Sequence, residues 1–290
     1  MKKVLWIRVL LILVSLAILL SALCAFSAYQ SAHTLIVTNY ELSAPIQNPL
    51  RLVQLTDLHC STFGENNQQI VDIIRELDPD LILMTGDMVN GDGEEIGVVL
   101  SLIEQLQELA PVYFGYGNHE TDWEKNFGSL RPSLEKAGAI VLDTEYVDVE
   151  HGGNALRIGG YAGYYRAPVM TTSDRGQREL ELQFADDFEN TDRFTILLSH
   201  IPTAWLDWEH RDQYPVDLVF CGHYHGGQIR LPLIGGLLAP NIGFFPPYTK
   251  GVFPGKTATV VLSAGLGSER NFPRINNPGE IVCVDLVPEK

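Results

Sequence analysis

The sequence predicts a layered α/β fold behind a single N-terminal membrane helix. Short apolar runs alternate with segments of helical periodicity, and polar motifs follow directly after several of the apolar runs. Strands that alternate with helices are typical of a largely parallel sheet covered by helices. A long uncharged run near the N-terminus predicts the membrane helix.

Residues 9–28 contain no charged side chain and are long enough to cross a bilayer. Lys2, Lys3 and Arg8 precede this run, and no further lysine or arginine occurs before Arg51. Because basic residues favour the cytoplasmic side, we expect residues 1–8 in the cytoplasm and the rest of the chain outside the membrane.

A cleaved signal peptide is the alternative to a membrane anchor. Small residues flank a possible cleavage site at Ala25-Phe26-Ser27, and cleavage there would release a secreted protein. The apolar run is longer than the usual core of a signal peptide, so we expect it to be kept as an anchor or uncleaved signal. Residues 29–50 are then a connecting segment with an edge strand, and residues 51–290 form one catalytic domain.

The first half of the chain alternates between strands and helices. Residues 33–45 alternate weakly between apolar and polar side chains, and residues 51–56, 81–84 and 111–116 are short apolar runs. Apolar side chains recur at helical spacing in the intervening segments, for example at Ile70, Ile73, Ile74 and Leu77 before the helix-ending Asp78-Pro79. These patterns predict helices at residues 67–77, 94–109 and 121–137.

The second half is richer in strands. Apolar runs between glycine-containing turns predict strands at residues 139–142, 146–149, 156–161, 194–198, 218–220, 259–262 and 281–286. Residues 178–188 have a helical pattern. No internal repeat or low-complexity linker divides this part of the chain, which agrees with a single domain.

Composition limits the kinds of partner that the domain can bind. The net charge is −16, so phosphate backbones are repelled and we expect no nucleic-acid binding. Bound divalent cations would offset part of this charge and attract an anionic substrate. Three cysteines lie outside the N-terminal run, at Cys60, Cys221 and Cys283, and their spacing predicts no disulfide framework.

Polar motifs end five of the predicted strands. They are Asp57-Leu58-His59, Gly86-Asp87, Gly117-Asn118-His119-Glu120, the single His200, and Gly222-His223-Tyr224-His225. The carboxyl ends of parallel strands meet at one edge of a sheet, so these side chains are expected to converge. Imidazole and carboxylate groups are ligands for divalent metals, and a bridging carboxylate can serve two ions.

The order of these motifs resembles that of the calcineurin-like metallophosphoesterase family, and the match spans residues 51–225. The chain is further similar to the membrane-anchored bacterial phosphodiesterases of the YkuE and YaeI type, which are related to UDP-diacylglucosamine pyrophosphohydrolases. That similarity lies in residues 222–228, 231–232, 265–268, 273–274 and 278–281. The resemblance implies a layered β-sandwich of mixed sheets flanked by helices.

The resemblance also implies the role of each motif residue. One metal would be held by Asp57, His59, Asp87 and His225, and the other by Asp87, Asn118, His200 and His223. His119 would act as the catalytic group beside the leaving group. The family mechanism is in-line attack on phosphorus by a hydroxide that bridges the two metals. Mn, Fe, Zn and Ni all accept such ligands, so the sequence leaves the metal identity open.

Three further features remain open in the sequence. Arg274 either contacts a substrate phosphate or forms a structural salt bridge. Cys60 and Cys221 are either auxiliary soft ligands or small buried residues, and we favour burial. The apolar segment of residues 231–253 either covers the sheet, lines a substrate pocket or touches the bilayer.

We therefore expect a dimetal phosphoesterase that hydrolyses a phosphodiester or pyrophosphate, lipid-linked or derived from the cell envelope. It would be a single-pass protein of the cell membrane with its catalytic domain on the extracytoplasmic side. A nucleotidase or broad-specificity phosphatase is the alternative among enzymes. A metal-stabilised binding protein with negligible turnover is the alternative from another class.

Overall fold

The computed structural model describes residues 2–93, 95–166, 175–207, 209–268 and 272–289. Its α-helices are α1 (Lys2–His33), α2 (Gln68–Leu77), α3 (Gly97–Leu106), α4 (Asn118–Phe127), α5 (Arg131–Ala137), α6 (Arg175–Glu189) and α7 (Thr203–Leu206). Its strands are β1 (Leu35–Ala44), β2 (Leu50–Leu55), β3 (Leu81–Thr85), β4 (Val112–Gly115), β5 (Ala139–Leu142), β6 (Glu145–His151), β7 (Asn154–Tyr161), β8 (Phe194–Ser199), β9 (Leu218–Cys221), β10 (Arg230–Leu231), β11 (Gly235–Gly236), β12 (Leu238–Ala239), β13 (Gly243–Phe244), β14 (Gly251–Pro254), β15 (Thr259–Leu262) and β16 (Gly279–Pro288).

The first sheet has the strand order β1-β16-β2-β3-β4-β5. Strands β2 to β5 are parallel to one another, and β16 runs antiparallel to β2 but parallel to β1. Every residue of β3 and β4 is buried, because both faces of the sheet are covered.

The second sheet has the order β14-β15-β9-β8-β7-β6. Its four central strands are parallel, and the two outer strands run antiparallel to their neighbours. Between β9 and β14 the chain leaves the sheet and forms two small hairpins, β10–β11 and β12–β13.

The two sheets pack face to face, and helices cover both outer surfaces. Leu52 and Leu83 of the first sheet lie in one buried cluster with Ile196 and Leu218 of the second. A second cluster packs α2, α3 and α5 on the first sheet, and a third packs α6 and α7 on the other. The predicted β-sandwich of mixed sheets flanked by helices is confirmed.

Several predicted boundaries differ from the structure. The helix predicted at residues 121–137 is two helices, α4 and α5, because the chain turns at Gly128, which has a φ of +92°. The predicted start of α3 at Glu94 lies outside the described residues. The N-terminal helix extends beyond the predicted residues 9–28 at both ends.

Helix α1 is long and apolar enough to cross a membrane over Val4–His33, and a signal sequence would pass the same test. Its C-terminal part contacts the domain. The backbone N–H groups of Asn276 and Asn277 donate hydrogen bonds to the hydroxyls of Ser27 and Ser31, at 2.8 and 3.0 Å. The helix is thereby joined to a loop that precedes β16.

The closest approach of the two sheets predicts where the sandwich is least tolerant of added volume. A Cβ at Gly160 of β7 would overlap the carbonyl group of Leu142 in β5, with the carbonyl carbon at 2.8 Å. We expect Gly160→Ala to lower the free energy of unfolding by about 1–3 kcal/mol, the usual cost of overpacking. Chemical denaturation of the purified protein measures this change.

Gly97→Ala is the matched control, because a Cβ at that helix start has no heavy atom within 4 Å. We expect its free energy of unfolding to stay within about 0.5 kcal/mol of the parent. Equal stability of the two variants would contradict the close contact between β5 and β7.

Candidate metal centre

The five polar motifs meet at one end of the sandwich, where strands of both sheets finish. Asp57, Asp87 and Asn118 follow β2, β3 and β4 of the first sheet, and His200 and His223 follow β8 and β9 of the second. Hydrogen bonds join the two sets of loops. The backbone N–H of His223 donates to Asp57 Oδ1 at 3.0 Å, and His200 Nδ1 donates to the carbonyl of Thr85 at 2.7 Å.

Ligand atoms of these residues gather into three overlapping groups, each with its atoms within 4.8 Å of one another. The groups are Asp57 with His59 and His225, Asp87 with His200 and His223, and His59 with Asp87 and His119. The first two groups each contain three of the four ligands predicted for one metal, without Asp87 in the first and without Asn118 in the second. Asn118 begins α4 directly after β4, and its backbone neighbour His119 donates an N–H to Asp87 Oδ1 at 2.8 Å.

The buried polar atoms of the centre fit a bound cation. Both ring nitrogens of His59, Nδ1 of His225 and Oδ1 of Asn118 are buried without a hydrogen-bond partner. Buried polar atoms are almost always paired, and a neutral imidazole keeps one ring nitrogen with a free lone pair, so these three residues have electron pairs available to a bound cation. Histidine nitrogens with carboxylate and amide oxygens suit a transition-metal ion.

Most of the predicted ligands have an unusual backbone conformation. Asp57, His59, Asp87, His223 and His225 all have φ values between +45° and +70°. This left-handed region is costly for residues other than glycine, and such residues cluster at functional sites. The strained turns aim alternate side chains inward from the strand ends.

Glycines beside the carboxylates make the dense packing possible. A Cβ at Gly117 would contact the backbone N of Asp87 at 2.6 Å, and one at Gly222 would overlap Asp57 and Thr56. Any larger residue at either position would displace a carboxylate. Glycine at positions 117 and 222 is therefore needed for close approach of the neighbouring strand end.

Burial and charge determine the protonation of the ligands. Burial lowers the pKa of His59 to about 4 and that of His223 to about 3, so both imidazoles are neutral and have lone pairs for metal binding. Burial raises the pKa of Asp57 to about 6, because together with the charge of Asp87 it outweighs the lowering effect of His200. Burial also disfavours the charged form of His200, but Asp87 Oδ2 at 2.9 Å outweighs it and raises the pKa to about 10.

His119 lies at the rim of the centre in a defined tautomer. Its Nδ1 accepts a hydrogen bond from the backbone N–H of Gly91 at 3.0 Å, so the proton of the neutral ring is on Nε2. The ring packs edge-on against His59, with centroids 4.7 Å apart. His119 is partly exposed, whereas the ligands on both sides of it are buried.

Glu120 holds the centre together without facing it. Its carboxylate is fully buried and accepts backbone N–H groups from Asp87, Met88, Val89 and Gly117 at 2.7–3.2 Å. These bonds hold the loop that contains Asp87 against the start of α4. In the sequence, the position of Glu120 directly after His119 favours orienting a neighbour or packing over metal binding.

Two asparagines outside the motifs also support the ligands. Asn241 Nδ2 lies 3.0 Å from His223 Nε2, and Asn277 donates to the carbonyl of His225 at 2.7 Å. Asn241 is in the turn of the β12–β13 hairpin with a φ of +61°. An asparagine that follows a proline and lies close to a glycine indicates a turn. Its contact with His223, however, can be seen only in the folded structure.

The remaining sequence candidates have structural contacts. Arg274 is 3% exposed and donates to the carbonyls of Gly267, Asn277 and Pro278, so its role in phosphate binding stays a prediction. Cys221 is fully buried, and burial raises the pKa of its thiol. Cys60 donates to the carbonyl of Glu95. No possible ligand group among the described residues includes a cysteine.

An apolar cavity opens beside the centre. Its volume is about 290 Å³, and it is lined by His225, Gln228, Leu238, Ala239, Pro240 and Phe272. The β12–β13 hairpin thus forms part of the wall of this cavity and also contacts His223. If a ligand were bound at the metal centre, the part of the ligand next to its metal-bound atoms would lie against this wall.

Comparison with known proteins agrees with the geometry. Residues 50–227 match the model of the calcineurin-like phosphoesterase family. The chain is 27% identical to the metallophosphoesterase YkuE of Bacillus subtilis, over 84% of this chain and 83% of the relative. It is 29% identical to the phosphodiesterase YaeI of Escherichia coli, over 82% of this chain and 83% of the relative.

Among solved structures, the 5′-nucleotidase precursor of Thermus thermophilus aligns with 82% of this chain and 55% of its own, at 17% identity and a TM-score of 0.46. The family match covers the strands and loops that carry every predicted metal ligand. The chain therefore belongs to the calcineurin-like phosphoesterase family and is a metal-dependent phosphoric ester hydrolase.

Proposed function

We propose that the protein hydrolyses a lipid-linked phosphodiester or pyrophosphate at a centre of two divalent metals. The observation that carries the proposal is the pair of ligand groups, Asp57 with His59 and His225, and Asp87 with His200 and His223. Asp87 would serve both ions, and Asn118 would complete the second. Two bound cations would supply an activated water and neutralise the charge of the phosphoryl group.

The protein's own groups would orient the phosphate and transfer a proton. Asp87 is held by the backbone N–H of His119 and by the loop that Glu120 fixes, so the shared carboxylate is positioned in advance. His119 has its proton on Nε2, at the rim where a leaving group departs. We assign it as the donor to the leaving oxygen.

The apolar cavity beside His225 supports a substrate with an apolar group near its phosphate. Four of its lining residues, Leu238, Ala239, Pro240 and Phe272, have no charge. Apolar walls next to a few polar groups are typical of sites that take a partly hydrophobic ligand. The polar side chains of the lining are those of His225 and Gln228.

The location follows from helix α1. We propose that α1 crosses the cell membrane with residues 1–8 in the cytoplasm, and that the domain lies on the extracytoplasmic side. This arrangement would place the metal centre near lipid substrates in the outer leaflet.

Replacing the shared carboxylate tests the metal centre. We expect Asp87→Asn to lower hydrolysis of bis(p-nitrophenyl) phosphate with added Mn²⁺ by more than about 100-fold, because both cations lose a charged ligand. Asp72→Asn on the exposed side of α2 is the control and should retain full activity. Circular dichroism should show both variants folded. Full turnover by Asp87→Asn would overturn the assignment. Full turnover after the metals are removed with a chelator would also overturn it.

The leaving group tests the role of His119. We expect His119→Gln to lower kcat by about 10²–10⁴-fold for a phenyl ester, whose leaving oxygen needs a proton. The loss should be much smaller for a p-nitrophenyl ester, which leaves without protonation. His151→Gln, on β6, is the control and should leave both rates unchanged. Equal losses on the two esters would exclude proton donation by His119.

A polar substitution in the cavity tests the substrate class. We expect Leu238→Asn to lower kcat/KM roughly 10-fold for a diacylglycerol-linked nitrophenyl phosphodiester, because the apolar group loses its wall. The rate on bis(p-nitrophenyl) phosphate should stay the same. Leu180→Asn, an exposed leucine on α6, is the control. Unchanged kcat/KM on both substrates would count against a lipid-linked substrate and leave the metal centre intact.

A further inference from the structure

Exposed apolar side chains outside α1 concentrate in one small part of the molecule. Residues 230–245, here called the hairpin lobe, contain the β10–β11 and β12–β13 hairpins. Leu233 and Ile234 at the tip of the first hairpin are 108% and 64% exposed, and Phe244 and Phe245 at the end of the second are 71% and 58% exposed. Soluble proteins rarely expose large apolar side chains side by side without a partner.

The two faces of the hairpin lobe have different neighbours. Leu238, Ala239 and Pro240 line the cavity beside His225, so the inward face belongs to the site already described. Leu233, Ile234, Phe244 and Phe245 are turned to solvent. The outward face therefore needs a separate explanation.

Hydrogen bonds place the hairpin lobe next to the outer end of α1. The backbone N–H of Asn276 donates a hydrogen bond to Ser27 Oγ of α1 at 2.8 Å. Its side chain donates to the carbonyl of Arg230 at 3.0 Å. One residue thus joins the helix to the root of the lobe. Leu233 is three residues beyond Arg230 and lies within about 10 Å of it, since each residue spans at most ~3.6 Å.

Ser27 lies at the end of the apolar run. Residues 9–28 of α1 are about 30 Å long at 1.5 Å per residue, which equals the thickness of the hydrocarbon core. Its neighbour Phe26 is 62% exposed. If α1 spans the bilayer, Ser27 marks the membrane surface, and the root of the hairpin lobe is at the same level.

The charge of the lobe agrees with contact with lipid. No charged residue occurs between Arg230 and Lys250, although the whole chain has a net charge of −16. Both flanking residues are basic, as at the edges of many membrane-contacting segments. An apolar surface flanked by cations is suited to the boundary between acyl chains and headgroups.

We infer that the outward face of the hairpin lobe rests in the lipid bilayer beside α1, as a second membrane contact of the domain. Leu233, Ile234, Phe244 and Phe245 enter the interfacial region. The inward face of the same lobe then opens the cavity beside His225 towards the lipid. The inference rests on the proposed membrane span of α1 and requires no catalytic activity.

Depth-dependent fluorescence quenching in nanodiscs tests this contact. Phe244→Cys is made in the full chain with Cys24→Ser and Cys60→Ser, since Cys221 and Cys283 are buried. The new thiol is labelled with an environment-sensitive fluorophore, and the nanodiscs contain zwitterionic lipids with a quencher near the headgroup. We expect fluorescence at position 244 to be lost, and the loss to persist in 1 M salt because the contact is apolar and the lipids carry no net charge.

Two matched probes make the result decisive. Leu180→Cys in the same background reports an equally exposed leucine on α6, and its fluorescence should persist. Native Cys24 in a Cys60→Ser chain reports α1 itself, three residues below Ser27, and a quencher in the acyl chains close to the headgroups should extinguish it. If the probe at Cys24 is quenched and the probe at position 244 is not, the proposed contact of the lobe with lipid is overturned and the membrane span of α1 is not. Unquenched Cys24 would overturn both the membrane span and the lobe contact. Turnover of an aryl phosphodiester is measured separately and reports the metal centre.

Discussion

The organisation of the molecule depends on the burial of two carboxylates, Asp57 and Asp87, at the junction of two sheets. Each has almost no exposure, and burial of a charge is costly unless opposite charge or hydrogen bonds compensate it. His200 supplies part of the compensation, at 2.9 Å from Asp87. The first sheet provides the carboxylates and the second provides His200, His223 and His225. The centre therefore exists only when both sheets are paired face to face, and it couples the chemistry of the site to the tertiary fold.

Much of the fold and most of the site could be predicted from the sequence, because both depend on local patterns. A fully apolar run such as Leu81–Thr85 indicates a strand buried on both faces, and the polar motif that follows such a run indicates a ligand loop at the strand end. The break between α4 and α5 was missed because the apolar spacing continues across Gly128, although Gly128 and Pro132 are residue types that commonly end and begin helices. Local spacing carries little information about such a turn.

The features that sequence reasoning missed arise from contacts between distant segments. Asn241 reaches His223 from a hairpin, and Asn277 reaches His225 from the loop before β16. By residue type alone, each of these two asparagines is an ordinary turn residue. The left-handed backbone at five of the predicted ligand positions was likewise invisible, because aspartate and histidine give no signal for it beyond the neighbouring glycines. The segment of residues 231–253 had three interpretations in the sequence, and the separation into inward and outward faces needed coordinates.

The position of β16 has a consequence for how the protein is made. This strand lies between β1 and β2, and it pairs with both over long stretches. Helix α1 and β1 leave the ribosome early, but among the described residues the sheet neighbour of β1 is formed by residues 279–288. Until those residues emerge, β1 has no partner and β2 has an open edge, a state prone to association with other chains. The first sheet therefore stays incomplete until residues 279–288 are synthesised, and its closure is a late step that also brings the loop of Asn276 and Asn277 to α1.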